Sequence, residues 1–142
     1  MTSAERHEEK HILVADDEAH IGRIIKIKLE QGPFRVSLAF DGQEALDILE
    51  RENGADLVVL DLMMPKMSGL DVLDHMRARE DWRDIPIIVL TAAGEPRYEQ
   101  DARESGATEF LTKPFSPKKL YTLIARITGV SEEGDEFGEG TD

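Results

Sequence analysis

Leu57-Val58-Val59-Leu60-Asp61 joins four consecutive apolar residues to a carboxylate. Continuous rather than alternating apolarity marks a strand covered on both faces. Three other runs have the same form. Ile12-Leu13-Val14-Ala15 stops at Asp16-Asp17, Ile87-Ile88-Val89-Leu90 stops at Thr91, and Phe110-Leu111 leads through Thr112 to Lys113. As neighbouring parallel strands, all four would open onto one crevice. It would hold three carboxylates, a hydroxyl and an ammonium, a set suited to a divalent cation and a phosphoryl group.

Between these runs the chain reads as helix. Residues 19–31 are amphipathic, with Ile21, Ile24, Ile25 and Leu29 on one face, and Gly32-Pro33 ends them. Residues 35–40 alternate, placing Val36, Leu38 and Phe40 on one side, as in a half-exposed edge strand. Asp41-Gly42 is a turn. Residues 43–52 form a helix with Ala45, Leu46 and Leu49 inward and Asn53-Gly54 as its stop. The third strand covers residues 56–60. A loop over 62–68, containing Pro65, leads to a helix over 69–79 that buries Leu73 and Met76.

Pro86 precedes strand four, residues 87–90. The fourth helix, 96–105, is poorly amphipathic, since Tyr98 and Ala102 are nearly its only apolar residues, and Gly106 ends it. Strand five covers 108–112. The fifth helix, 116–128, sets Leu120, Leu123, Ile124 and Ile127 at i, i+3, i+4 and i+7. Five such units predict an α/β, doubly wound fold, a parallel sheet with helices on both faces. Right-handed crossovers, with the half-polar strands two and five at the edges, give the order 2-1-3-4-5. Its switch-point crevice lies where Asp16, Asp17 and Asp61 sit.

With 142 residues the chain suits one domain, expected over 10–128, after a polar extension at 1–9. No apolar run approaches the roughly 20 residues of a membrane-spanning helix, and the first ten residues hold no secretory signal. A cytoplasmic location and no membrane partner are the default expectations. Without cysteine, disulfides and thiolate zinc sites are excluded. Net charge is −13. Residues 129–142 supply six acidic groups and four glycines with no Lys or Arg, which predicts a disordered tail. The remaining 24 acidic against 17 basic residues still make a surface that disfavours direct nucleic-acid contact.

Singly, each site residue has a plainer use. Asp17 would serve as an N-cap, Asp61 and Thr91 as turn residues, and Lys113 as a solvated surface charge. Capping does not explain why four strands should send polar ends to one crevice. Two carboxylates 4 Å apart repel by ~4 kcal/mol at an effective dielectric of 20, so three together call for a counter-cation.

Read as a set, Ala15-Asp16-Asp17, Asp61-Leu62-Met63-Met64-Pro65 with Met67-Ser68-Gly69, Thr91-Ala92-Ala93 and Lys113-Pro114-Phe115 resemble a response-regulator receiver domain of the single-domain, chemotaxis type. The resemblance covers residues 10–128 and implies a (βα)5 flavodoxin-like fold. It implies Asp61 as the acceptor of a phosphoryl group from a sensor histidine kinase or a His-containing phosphotransfer protein. Asp17, Asp61 and the backbone carbonyl of Met63 would ligate Mg²⁺, with Asp16 acting through a water and Mn²⁺ able to substitute. Lys113, the Thr91 hydroxyl and the Ala92 N–H would hold phosphoryl oxygens. The Lys113-Pro114 bond would be cis. Thr91 and Phe110 would form a switch that alters the α4-β5-α5 surface for a downstream protein target.

Such a protein is no enzyme beyond its own phosphorylation and dephosphorylation. Met63 and Ala93 stand where receiver side chains tune loss of the phosphoryl group to water, and neither orients one, which predicts a long-lived acyl phosphate. No output domain follows the fifth helix, so the chain would act through partner contacts, as a monomer or a phosphorylation-dependent dimer, or as a receiver cut from a longer protein. The rivals fare worse. A flavodoxin needs a Ser/Thr/Gly-rich loop where Asp16-Asp17-Glu18-Ala19 stands, a haloacid-type phosphatase needs a carboxylate at Met63, and an NTPase needs a Gly-rich phosphate loop. A pseudo-receiver adaptor that binds partners without phosphorylation is the stronger alternative, though no acidic or Lys site residue is missing.

Overall fold

In the computed structural model, which describes residues 9–92 and 96–130, five strands form one parallel sheet in the order β2-β1-β3-β4-β5. The strands are β1 (Lys10–Ala15), β2 (Phe34–Ala39), β3 (Leu57–Asp61), β4 (Ile87–Ala92) and β5 (Glu109–Lys113). Between and after them run α1 (Ala19–Leu29), α2 (Gly42–Arg51), α3 (Gly69–Ala78), α4 (Pro96–Glu104) and α5 (Pro117–Thr128). This is the expected doubly wound, flavodoxin-like fold.

Strand alternation divides the core in two. Leu13, Val58, Leu60, Ile87 and Val89 pack with α2, α3 and Ala102 of α4. Ile12, Val14, Leu57, Val59, Ile88, Leu90 and Leu111 pack with α1 and α5. Each inner strand thus feeds both cores, which is why its sequence is continuously apolar.

Among the described residues, three helices carry side-chain caps. Asp41, Ser68 and Ser116 accept from the N–H groups of Glu44, Asp71 and Lys119 at the starts of α2, α3 and α5. α5 ends on Gly129 at φ 77°, and the Val130 N–H returns to the Ala125 carbonyl at 2.9 Å. Val130 then packs on the α1–α5 core. Residues 1–8 and 131–142, where the polar extension and acidic tail are expected, lie outside the described residues, as does the Tyr98 side chain.

Three local expectations fail. Ile24 is 48% exposed rather than part of the buried stripe, because α1 seats Gly22, Ile25 and Leu29 on the sheet, with Gly22 against Leu38. The helix also ends at Leu29 rather than at 31. Phe40 lies beyond β2 and is 39% exposed. There its N–H donates to Glu44 Oε1 at 2.8 Å while Asp41 caps Glu44, so residues 40–44 start α2 rather than extend the strand.

Candidate functional site

The strand register brings the polar ends level. Ala15 pairs with Leu60, setting Asp16 beside Asp61, and Ala92 pairs with Lys113 at the far side of β4. Period-two alternation then sorts the side chains. Asp61 and Lys113 follow Val59 and Leu111 on the α1–α5 face, whereas Thr91 follows Val89 on the other.

Asp16, Asp61 and Thr91 are buried, at 1%, 4% and 5% exposure. The Lys113 ammonium meets Asp16 Oδ2 at 3.0 Å, Asp61 Oδ2 at 3.1 Å and Glu18 Oε1 at 3.0 Å. The other oxygens of the two aspartates are held by backbone: Asp16 Oδ1 accepts from the Glu18 N–H at 2.9 Å and Asp61 Oδ1 from the Met63 N–H at 3.0 Å. Burial, with the charge of Asp16 adding to it, pushes the Asp61 carboxyl up to about 6 against the Met63 N–H and Lys113. Burial pulls Lys113 down, but hydrogen bonds to Glu18, Asp16 and Asp61 outweigh it and hold the ammonium charged. Lys113 likewise lowers the Glu18 carboxyl, through the hydrogen bond first and its charge second.

These residues fit a divalent cation. Carboxylate oxygens from Asp16, Glu18 and Asp61 lie within 4.8 Å of one another. Asp16 Oδ2 is a buried acceptor with no directed hydrogen bond, the kind of atom a metal satisfies. Asp17 is exposed and outside this trio, and it caps nothing: Glu18 holds the N-cap position of α1, without a side-chain capping bond. Glu18 is the one residue of the cluster that spacing could not single out, since it lies past the strand in an already acidic run.

Other expected residues surround the crevice. Met63 is 55% exposed beside Asp61, and Ala92 is exposed at the end of β4. The Lys113–Pro114 peptide bond is cis. Phe110 is half-buried against the α2–α3–α4 core, with the Arg103 guanidinium 4.6 Å from its ring centre. Ala93 lies outside the described residues. A Cβ on Gly69 would strike the Asp61 carbonyl and come within 2.6 Å of Leu62 Cα, so only glycine lets α3 start this close behind the site.

Residues 12–125 match the family profile of the response regulator receiver domain. The chain is 46% identical over 118 residues to a probable transcriptional regulator, ycf27, of Cyanophora paradoxa, covering 83% of this chain and 48% of that protein. It is 41% identical over 116 residues to the transcriptional regulatory protein SrrA of Staphylococcus aureus, covering 82% and 46%. The chain thus spans about half the length of the curated relatives it matches. Their names leave the expectation of no nucleic-acid partner without support for a longer protein.

Among solved structures, the receiver domain of Francisella response regulator 1452 is 34% identical with a TM-score of 0.76, covering 84% of this chain and 97% of that one. Chemotaxis response regulator CheY4 of Vibrio cholerae is 30% identical with a TM-score of 0.77, covering 83% and 98%. No helix among the described residues is long and apolar enough to cross a membrane. The chain belongs to the response-regulator receiver family of two-component signalling proteins.

Proposed function

We propose that this receiver accepts a phosphoryl group on Asp61 from a histidine kinase or a His-containing phosphotransfer protein, and that the change reaches a protein target through α4, β5 and α5. The observation that carries the reading is the Lys113 ammonium lying 3.1 Å from Asp61 Oδ2, with Asp16 beside it at the mouth of the sheet.

An Asp61 oxygen attacks phosphorus as the bond from phosphorus to the donor's imidazole nitrogen breaks. The electron pair stays on that nitrogen, which takes up a proton as it leaves. Lys113 meets the negative charge on the phosphoryl oxygens, and the Thr91 hydroxyl and Ala92 N–H hold another oxygen. Asp17, Asp61 and the Met63 carbonyl, with Asp16 through a water, would hold Mg²⁺, which when bound neutralises phosphoryl charge. Exclusion of other donors by the all-oxygen set favours Mg²⁺ or Mn²⁺ over softer metals. Drawn toward the phosphoryl group, Thr91 leaves space for Phe110, which lies on the same face of the sheet. Transcriptional regulation, as the relatives are named, would follow where the receiver is joined to a further domain.

Intact-mass spectrometry after incubation with Mg²⁺ and acetyl phosphate tests the assignment. Wild type gains the mass of one phosphoryl group, lost on chelating the metal beforehand, and Asp61→Asn gains none. A wild type that never gains mass would point instead to an adaptor that binds without phosphorylation.

A further inference from the structure

Lys113 donates hydrogen bonds to Glu18 Oε1 and Asp61 Oδ2 and has Asp16 Oδ2 at ion-pair distance, so three carboxylates surround its ammonium. A phosphoryl oxygen arriving at Asp61 competes with these carboxylates for the ammonium. The three differ in how firmly they are held. Asp16 and Asp61 are buried, and each has its second oxygen fixed by a backbone N–H. The Glu18 side chain is 50% exposed and makes no capping bond. It also lines the mouth of a groove of about 490 Å³, bounded further by Ile21, Ala92, Pro114 and Phe115. Of the three anions, Glu18 alone stands on the solvent side and has room to leave.

We propose that Glu18 is a positioning residue that occupies a donor of Lys113 in place of a phosphoryl oxygen and swings into solvent before transfer. The inference rests on Asp61 as the phosphoacceptor. Both occupants are anionic oxygens seeking a charged donor, so they exclude each other at one N–H. Glu18 thereby screens Lys113 from stray anions and makes transfer wait on its departure. Because a solvent-screened ion pair is weak, the delay is modest.

Glu18→Gln keeps the length of the side chain and removes its charge, while Glu18→Asp keeps the charge and cannot reach Lys113. Both are compared with wild type for acyl-phosphate formation from acetyl phosphate at saturating Mg²⁺, for Mg²⁺ affinity by calorimetry, and for melting temperature. At saturating Mg²⁺ both variants should be phosphorylated about three- to tenfold faster than wild type, with melting temperature unchanged. An unchanged rate overturns the gate. So does slower phosphorylation with Mg²⁺ affinity reduced about tenfold or more, which would make Glu18 a metal ligand. If wild type and both variants stay unphosphorylated, the Asp61 assignment falls and the gate with it; phosphorylation of all three at one rate sinks the gate alone.

Discussion

The two faces of the sheet meet the crevice under different mechanical conditions. On one, α5 buries Leu120, Leu123, Ile124 and Ala125, is capped at both ends, and lies beside the face that carries Asp61 and Lys113. On the other, the described part of α4 buries only Ala102, and this face carries Thr91 and Phe110. Phosphoryl chemistry needs charges fixed to a fraction of an ångström, and Asp61 and Lys113, the charged groups proposed for it, sit on the firmly packed side. The proposed transmission needs an element that moves at small cost, and the sparse burial of α4 suits it to that part.

The largest test of this contrast is a pair of core truncations. Ile124→Ala in α5 should cost about 2–5 kcal/mol, whereas Ala102→Gly in α4 should cost about 1–2 kcal/mol, read from urea midpoints. Amide exchange sharpens it: α4 amides should exchange through local opening well below the global free energy, and α5 amides only with global unfolding. Equal costs, or α4 protected to the same level as α5, would erase the distinction.

How far the contrast could be read from sequence depends on the same physics. The inner strands were legible because burial on both faces leaves an unbroken apolar run, and Asp16, Asp61, Thr91 and Lys113 were legible as the ends of those runs. α5 was legible because its four large apolar residues follow one stripe. α1 misled: Ile21, Ile24, Ile25, Ile27 and Leu29 offer more apolar side chains than one stripe can bury. The small Gly22, with Ile25 and Leu29 at i+3 and i+7, marked the seated face. Phe40 misled because alternation continued one residue into a helix cap. Glu18 was hidden because its role depends on where the β5 lysine reaches in space.

The second test concerns the charged face. The Asp61 carboxyl sits at about 6 in the fold, against roughly 4 for an unfolded aspartate. The folded state thus holds a proton that the unfolded chain has released between these values, so folding is favoured by Asp61 below about pH 4 and loses that advantage as pH rises through 6. With Mg²⁺ chelated, this amounts to about 3 kcal/mol of stability lost across that window, and Asp61→Asn should flatten it and melt higher at neutral pH. Mg²⁺ should raise the melting temperature of wild type more than that of the variant. A wild type whose stability rises from pH 4 to 6 as steeply as the variant's would show that Lys113 already offsets the gathered charge.

The smallest test lies on the softer face. Arg103, in the last turn of α4, sets its guanidinium over the ring of Phe110 in β5, tying the weakly packed helix to the aromatic proposed to switch. Both groups reach solvent, so the contact contributes only about 0.5–1 kcal/mol. Arg103→Ala should therefore barely move the melting temperature. Its effect should appear in the Phe110 ring instead, as shifted aromatic resonances and faster exchange of the α4 amides, because a small bias suffices to redistribute a ring between two nearly equal positions. Arg103→Lys should restore part of it, since an ammonium keeps the charge but not the planar stack. Resonances of Phe110 that ignore both substitutions would mean that the ring is fixed by the β4–β5 packing beneath it, and the softness of α4 would then end at the helix itself.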